Sequence, residues 1–494
     1  MRIVGLLLLI ALASGAQEVY RPAIPRTWDE STLREWATPL AGLGERPSHF
    51  SEEEYYAAPV DNLRTYAVYY PGREPSDYWE FLNTVGPQPL IEPEKLKSKA
   101  DWVEAGREVF HQHDMIGVRL LDPAVIARAR DPSVYEEAEY EPRSDGTVPD
   151  LRWVPTEDGV ALGSKNCASC HQRVMPDGSI LDGAPVNERG SPLVADLTAS
   201  GVSPVPLAPG PLSLQFWRAF RVPWIENDIH DAIKSMNAAE LFATIGPGLQ
   251  VGLFPRWNSS SYFTTKIPDL IGFRGLKYID HTATHKHRGP GDVMRYAALV
   301  TSAESFKFGR HSVMEKDHPQ VGARLSDAAL YALAMYLYSL EPPPNPNPYD
   351  DRAAAGKALF QRQGCPGCHT PPLYTSNKLT LAQGFDPPKE HLELLDILPI
   401  SVGTDPGGAL KTRKGTGYYK VPSLRGVWYR GHLLHDGSLT TLEEMFDPVR
   451  LTDGFVRSGF RPAGREGQAV RGHEFGLALS ALERTQLIAF LRTL

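Results

Sequence analysis

The chain has 494 residues, enough for two or three domains with separate cores. Its net charge of −8 leaves no basic surface for nucleic acid and excludes that class of partner. After the first residues, no segment approaches the roughly 20 apolar residues that a membrane helix needs, so no membrane anchor is expected.

Residues 1–16 open on Met1-Arg2 and a short apolar run, Leu6 to Leu12, then small residues through Ala16, which reads as a cleaved secretory signal and places the mature protein in the periplasm or outside the cell. Residues 17–95 are rich in Tyr, Trp and Pro with little periodicity and read as an irregular N-terminal arm. Ala105-Gly106-Arg107-Glu108-Val109-Phe110 has helical apolar spacing. An insertion of more than fifty residues, rich in Pro, Glu and Arg, then separates Phe110 from Cys167 and reads as a surface excursion. It ends at Cys167-Ala168-Ser169-Cys170-His171, which recurs as Cys365-Pro366-Gly367-Cys368-His369, so these two patterns hold all four cysteines of the chain. In C-x-x-C-H the thiols add across the vinyl groups of a haem and the adjacent histidine becomes its proximal iron ligand. A thioredoxin-like dithiol, a half zinc site or two disulfides would not require a histidine directly after the second cysteine, twice. The expected cofactors are therefore two covalently attached c-type haems, with His171 and His369 on the irons.

Three blocks recur in order along the chain. Ala105–Phe110 matches Ala355–Phe360, Lys266-Ile267-Pro268-Asp269-Leu270 matches Lys420-Val421-Pro422-Ser423-Leu424, and the stretch Leu325–Leu340 matches Leu479–Leu494. The last two blocks share one offset of 154 residues, and a histidine follows each block proline by thirteen places, at His281 and His435. Ser326 and Ser480 suit the N-caps of the two terminal helices. Between the repeats lies Glu341-Pro342-Pro343-Pro344-Asn345-Pro346-Asn347-Pro348-Tyr349, a stiff extended linker. The expected architecture is mainly α: two cytochrome c-like haem domains related by duplication, at 96–340 and 350–494, joined by the 341–349 linker, with the irregular arm against them.

Tyr419-Lys420-Val421-Pro422-Ser423-Leu424-Arg425-Gly426, followed by Leu434-His435-Asp436-Gly437-Ser438-Leu439, resembles the C-terminal signature of the bacterial di-haem cytochrome c peroxidases. That superfamily also holds the methylamine-dehydrogenase maturation enzyme and the secreted di-haem rubber oxygenases. The resemblance covers roughly residues 95–494, and Tyr69-Tyr70-Pro71-Gly72-Arg73-Glu74-Pro75 and Gly472-His473-Glu474-Phe475-Gly476 look closer to the rubber-oxygenase-like branch. Two departures stand out: Val449 occupies the place of the peroxidase methionine ligand, and the peroxidase loop with its catalytic glutamate has no counterpart near the first motif.

With the methionine missing, His473, in the loop before the last helix, is the expected distal ligand of the second iron, with Met445 and His435 next in line. In the corresponding loop of the first unit, His318 reads as a ligand, a pocket acid or base, or a solvated histidine. His281 and His435 suggest a shared structural role over a catalytic one, and His285 and His287 read as solvated, with contact of one of them with the first haem edge as the alternative. The resemblance implies a tryptophan between the haems. Trp217, Trp224, Trp257 and Trp428 are the candidates and Trp257 the choice, while Phe263 or Phe273 would line a distal pocket or pack in the core. The resulting expectation is an oxidoreductase in which the first haem activates peroxide or dioxygen and the second relays electrons from a small redox protein or small-molecule donor. A rubber-oxygenase-like dioxygenase of an organic substrate and a non-enzymatic di-haem electron carrier are the alternatives.

Overall fold

The structure is a computed structural model and describes residues 19–115, 119–193, 196–197, 221–255, 260, 262–301, 307–313, 322–462 and 464–494. Its framework is two helix pairs. Ser98 starts the Lys99–Gln112 helix through a reciprocal capping box with Asp101, and Trp102, Ala105, Gly106, Val109 and Phe110 form its buried stripe. That stripe packs on the Asp327–Ser339 helix, whose N-cap Ser326 accepts the Ala329 N–H at 3.2 Å. In the second half, Asp350 caps the Asp351–Arg362 helix, which packs on Ala481–Arg492, begun by a capping box between Ser480 and Glu483.

Both crossings pass through a glycine. A Cβ on Gly106 would lie 1.9 Å from the Ala332 carbonyl oxygen and 2.7 Å from the Tyr336 Cβ, and one on Gly356 would lie 1.9 Å from the Gln486 carbonyl oxygen and 2.8 Å from the Phe490 Cβ. Ala332 and Gln486, and Tyr336 and Phe490, stand at the offset of 154 read from the sequence. One close-approach helix crossing is thus built twice, and in each copy the absence of a side chain lets the backbones touch. The first crossing nucleates a core of Trp102, Val109, Phe110, Met294, Leu330 and Leu333, and the second a core of Leu359, Phe360, Leu442, Leu487, Phe490 and Leu491.

The rest is less helical than the sequence suggests. The arm is regular in places, with helices at Glu30–Leu33, Glu52–Ala57 and Tyr78–Val85. Its Trp28, Trp36 and Tyr55 are buried in the first core, because a short segment supplying three large aromatic rings gains more by packing than by staying solvated. The insertion before Cys167 is not a surface excursion. Thr147–Thr156 and Gly159–Ser164 form an antiparallel hairpin that the arm strand Tyr66–Tyr69 joins at its edge. This sheet carries a core of its own, in which Val68, Leu82, Val125, Val134, Tyr135, Leu151, Trp153 and Leu162 are buried. A further small sheet pairs Leu379–Leu381 in parallel with Ile397–Ser401 and antiparallel with Tyr418–Lys420. The architecture is therefore helical pairs interleaved with several small sheets. Within the 341–349 segment no regular element forms, and Asn345 Nδ2 donates to the Arg492 carbonyl at 2.8 Å. Among the described residues no helix is long and apolar enough to cross a membrane.

Candidate functional site

Each C-x-x-C-H motif folds into the same tight turn. The Cys170 and His171 amides both donate to the Cys167 carbonyl, at 3.3 and 3.0 Å, and those of Cys368 and His369 donate to the Cys365 carbonyl, at 3.2 and 2.8 Å. All four thiols are free and partly exposed. Among the described residues no three His, Cys, Asp or Glu side chains converge as a metal shell does.

The second motif faces another histidine. The His369 and His473 rings lie 6.3 Å apart, centroid to centroid, inclined by 61°. These two imidazoles are placed so that they would hold one metal ion between them. His369 donates its Nδ1 hydrogen to the Tyr374 carbonyl at 3.1 Å, which fixes the tautomer and frees Nε2. Burial, reinforced by the neighbouring His369, pushes His473 down to about 4, so its ring is neutral at physiological pH with a lone pair to offer.

The loop that presents His473 is held tightly. Its amide donates to the Val402 carbonyl at 2.6 Å. Gly472 (φ 81°) passes so close to the chain opposite that a Cβ would lie 2.2 Å from the Thr404 nitrogen, and His473 itself takes the left-handed conformation, φ 47°, rare for a residue with a side chain. Beneath it, the fully buried Arg450 donates to the carbonyls of Met445 at 3.0 Å and His473 at 2.9 Å, and also to that of Val470. The Nδ1 of His473 is buried without a hydrogen-bond partner. A buried neutral imidazole with an unbonded Nδ1, beside His369, fits a residue that would hold a haem iron better than it fits a surface histidine.

His171 is set differently. Burial lowers it to about 4, and although the Pro268 carbonyl lies beside its ring, Nδ1 makes no hydrogen bond. The Pro422 carbonyl has the same relation to His369. Among the described residues, no aromatic or imidazole ring lies at contact distance from His171. These donors fit a haem on each motif: two thiols and a neutral imidazole apiece, with a second imidazole at the C-terminal one.

No protein-family model matches the sequence, and no curated protein matches it. Solved structures similar to this chain include the hydrazine synthase of Kuenenia stuttgartiensis, at 16% identity, covering 57% of this chain and 86% of that one, with a TM-score of 0.30. A MauG-like protein associated with microbial copper homeostasis matches at 14% identity over 46% of this chain and 75% of its own, TM-score 0.28. The diheme peroxidase BthA from Burkholderia thailandensis E264 matches at 16% identity over 88% of this chain and 95% of its own, TM-score 0.32. Similarity at this level assigns no chemistry, which has to come from the residues themselves.

His318, Trp257 and Trp217 lie outside the described residues, as does the segment 1–16. His435 stacks on Tyr419 at 4.2 Å with its Nε2 3.1 Å from the Tyr419 hydroxyl, Met445 is buried in the second core, and Val449 is exposed, so none of the three faces His369 as His473 does. His281 Nε2 lies 2.9 Å from the Lys266 carbonyl, a backbone role. His285 and His287 are not solvated. His285 is buried 4.1 Å from Trp36, and His287 sits between the Leu276 carbonyl and the Tyr338 hydroxyl, 2.6 Å from each, stacked on Phe273. Phe263 packs where a Cβ on Gly407 would be, against the second unit. Trp224 packs on Phe308 and Trp428 on Tyr429.

Sequence reading missed two arrangements. Arg450 is one, because a charged side chain is expected at the surface. The other is a buried chain in which Asp228 Oδ1 lies 2.6 Å from His230 Nδ1 and His230 Nε2 lies 2.6 Å from Ser260 Oγ. Ser260 also accepts the Tyr262 and Phe263 amides, at 3.0 and 3.1 Å, and is fully buried. With its hydroxyl saturated and no exposed face, the chain anchors the segment before Lys266 and does not supply a nucleophile.

Proposed function

We propose that the protein is a di-haem c-type oxidoreductase of the periplasm or extracellular space, built as two haem units at 96–340 and 350–494, in which the haem on Cys167 and Cys170 meets a small oxidant and the haem on Cys365 and Cys368 relays electrons. The observation that carries this reading is the unequal surroundings of two otherwise matching motifs: His369 has His473 opposite it, while among the described residues no ring faces His171. A haem held through its vinyl groups supplies an iron that exchanges one electron at a time and, where an axial place is open, takes up peroxide or dioxygen.

The chain's own residues divide these tasks. His369 and His473 would together hold the iron of the second haem, which would leave it closed to outside ligands. Arg450, Gly472 and the Val402 carbonyl keep His473 from swinging away. His171 would hold the iron of the first haem, with Pro268 and Asp269 beside its ring. A cleft of about 530 Å³, lined by Gln383, Val402, Arg471, Glu474 and the half-exposed Phe475, opens on the His473 loop and supports electron entry there from a small redox protein or small-molecule donor. Peroxide is the oxidant we favour, with dioxygen acting on an organic substrate as the second reading.

The test is to add hydrogen peroxide, and separately dioxygen, to the half-reduced protein and follow both haem spectra. The expected result is a fast change confined to the haem of the first motif. If both irons cycle with a redox partner while neither oxidant alters either spectrum, the protein is an electron carrier.

A further inference from the structure

The two proline-containing repeats do more than flank the motif histidines: they are where the two halves of the chain bind each other. The bonds are reciprocal. The Lys266 amide donates to the His435 carbonyl and the Lys420 amide to the His281 carbonyl, both at 3.1 Å. Lys266 Nζ donates to the His432 carbonyl at 3.3 Å and Lys420 Nζ to the Tyr278 carbonyl at 3.2 Å. Every one of these partners maps onto its counterpart at the 154-residue offset.

Two residues break that symmetry, and each touches both repeats, which act as straps between the halves. His281 turns its ring so that Nε2 donates to the Lys266 carbonyl at 2.9 Å, whereas its counterpart His435 spends Nε2 on Tyr419. Arg430, with only 15% of its side chain exposed, donates Nε to Asp269 Oδ2 at 2.6 Å and Nη1 to the Ser423 carbonyl at 2.6 Å. Asp269 and Ser423 are themselves equivalent, each following the proline beside a motif histidine. Arg430 therefore clamps matching points of the two straps, and the 4% exposure of the Asp269 side chain keeps water out of the clamp.

We propose that Arg430 and His281 join the two straps into a bonded electron path between the haems along their proximal sides, an inference that rests on the two-haem reading. From the Pro422 carbonyl beside His369 the first branch runs to the Ser423 carbonyl, across Arg430 to the Asp269 carboxylate, and so to the Pro268 carbonyl, from which one short through-space step reaches His171. The second runs from Pro422 back through Val421 to the Lys420 amide, into the His281 carbonyl, out through its ring to the Lys266 carbonyl, and on through Ile267 to Pro268. In each passage one electron leaves a ferrous iron at His369, which becomes ferric, and reduces a ferric iron at His171 to ferrous. No bond is made or broken, and Arg430 and His281 keep their hydrogens. Bonded and hydrogen-bonded atoms couple two redox centres better than a van der Waals gap does, and a buried clamp that is already ordered needs little rearrangement when charge passes.

The experiment uses the full-length holoprotein. Pulse radiolysis delivers one electron per molecule, and redistribution of that electron between the two haem bands is timed, with both midpoint potentials measured on the same samples. His281→Leu and Arg430→Lys are each expected to slow redistribution severalfold with the potentials and axial-ligand spectra unchanged, while His281→Gln, which keeps an N–H donor, stays near the parent rate. Unchanged rates in His281→Leu and Arg430→Lys overturn the proposal, and so does a rate loss fully matched by a change in the potential difference. If His281→Leu does not accumulate with both haems, Arg430→Lys decides alone. A pyridine haemochrome assay showing fewer than two haems in the parent protein sinks the two-haem reading instead, so the two failures are told apart.

Discussion

At the scale of single residues, His473 carries the most. It faces His369 at 6.3 Å and is locked by Gly472 on one side and Arg450 beneath. His473→Ala is expected to turn the low-spin EPR signal of the second haem high-spin, while His435→Ala leaves that signal in place; low-temperature EPR of the two variants checks both. Arg450→Leu removes the donor to three carbonyls and leaves them buried, at a cost of about 3 kcal/mol in urea unfolding. It should also broaden the signal of the second haem, because the His473 loop loses its floor. That His473 lies beside His369 was legible in the sequence, because Val449 stands at the usual ligand place and the loop precedes the last helix; its role on the iron is the proposal. Arg450 was not, since its worth lies in carbonyls up to 23 residues away, and hydrogen-bonding needs of backbone groups leave no trace in residue type. His285 and His287 were misjudged for a related reason: Trp36 and Tyr338, which bury them, come from distant parts of the chain.

At the scale of elements, the glycine crossings are the most exposed to test. Gly106→Ala and Gly356→Ala each drive a methyl group into a backbone carbonyl 1.9 Å away, so the helices must part. Each substitution is expected to cost about 3 kcal/mol, read as a shift in the urea midpoint, with Gly356→Ala also loosening the second haem. The straps offer a pH test. Burial, with Arg430 nearby, lowers Lys266 from 10.5 to about 8 in the folded protein. Between those values the unfolded chain holds the proton that the folded one has released, so this group makes the protein more stable as pH rises from about 8 toward 10.5. Lys266→Met should remove that rise, and unfolding curves of the two proteins taken side by side across the interval show whether it does. The terminal helices and their serine caps could be read from periodicity and capping alone. The 147–164 hairpin could have been read too: Asp158-Gly159 signals a turn, which the structure places one residue earlier at Glu157-Asp158, and Val148, Trp153, Val154 and Val160 have the β-branched and aromatic character of strands. Pro149 and Pro155 masked the pattern, and the sheet forms nonetheless because the Tyr66–Tyr69 edge and a separate buried core support it.

At the scale of the whole molecule, two similar halves surround their motif histidines unequally among the described residues, and the proposed division of labour follows from that difference. The repeated crossings, turns and straps support the proposed two haem units, and the offset of 154 residues shows the repeat in the sequence alone. The clasp between the halves was not visible, because Arg430 and His281 gain their meaning only from which carbonyls and carboxylates they meet across it. Mass spectrometry of the mature protein is expected to show two covalent haems, and replacing Cys365 and Cys368 with Ala should leave one. The measurement that bears most directly on the account is low-temperature EPR of the fully oxidised protein with the spins counted. The expected result is equal amounts of two species, a low-spin signal with two imidazole ligands that His473→Ala abolishes and a high-spin signal that His171→Gly alters. Two low-spin signals of equal intensity, or a high-spin signal that persists when His171 is replaced and vanishes when His369 is, would contradict the account.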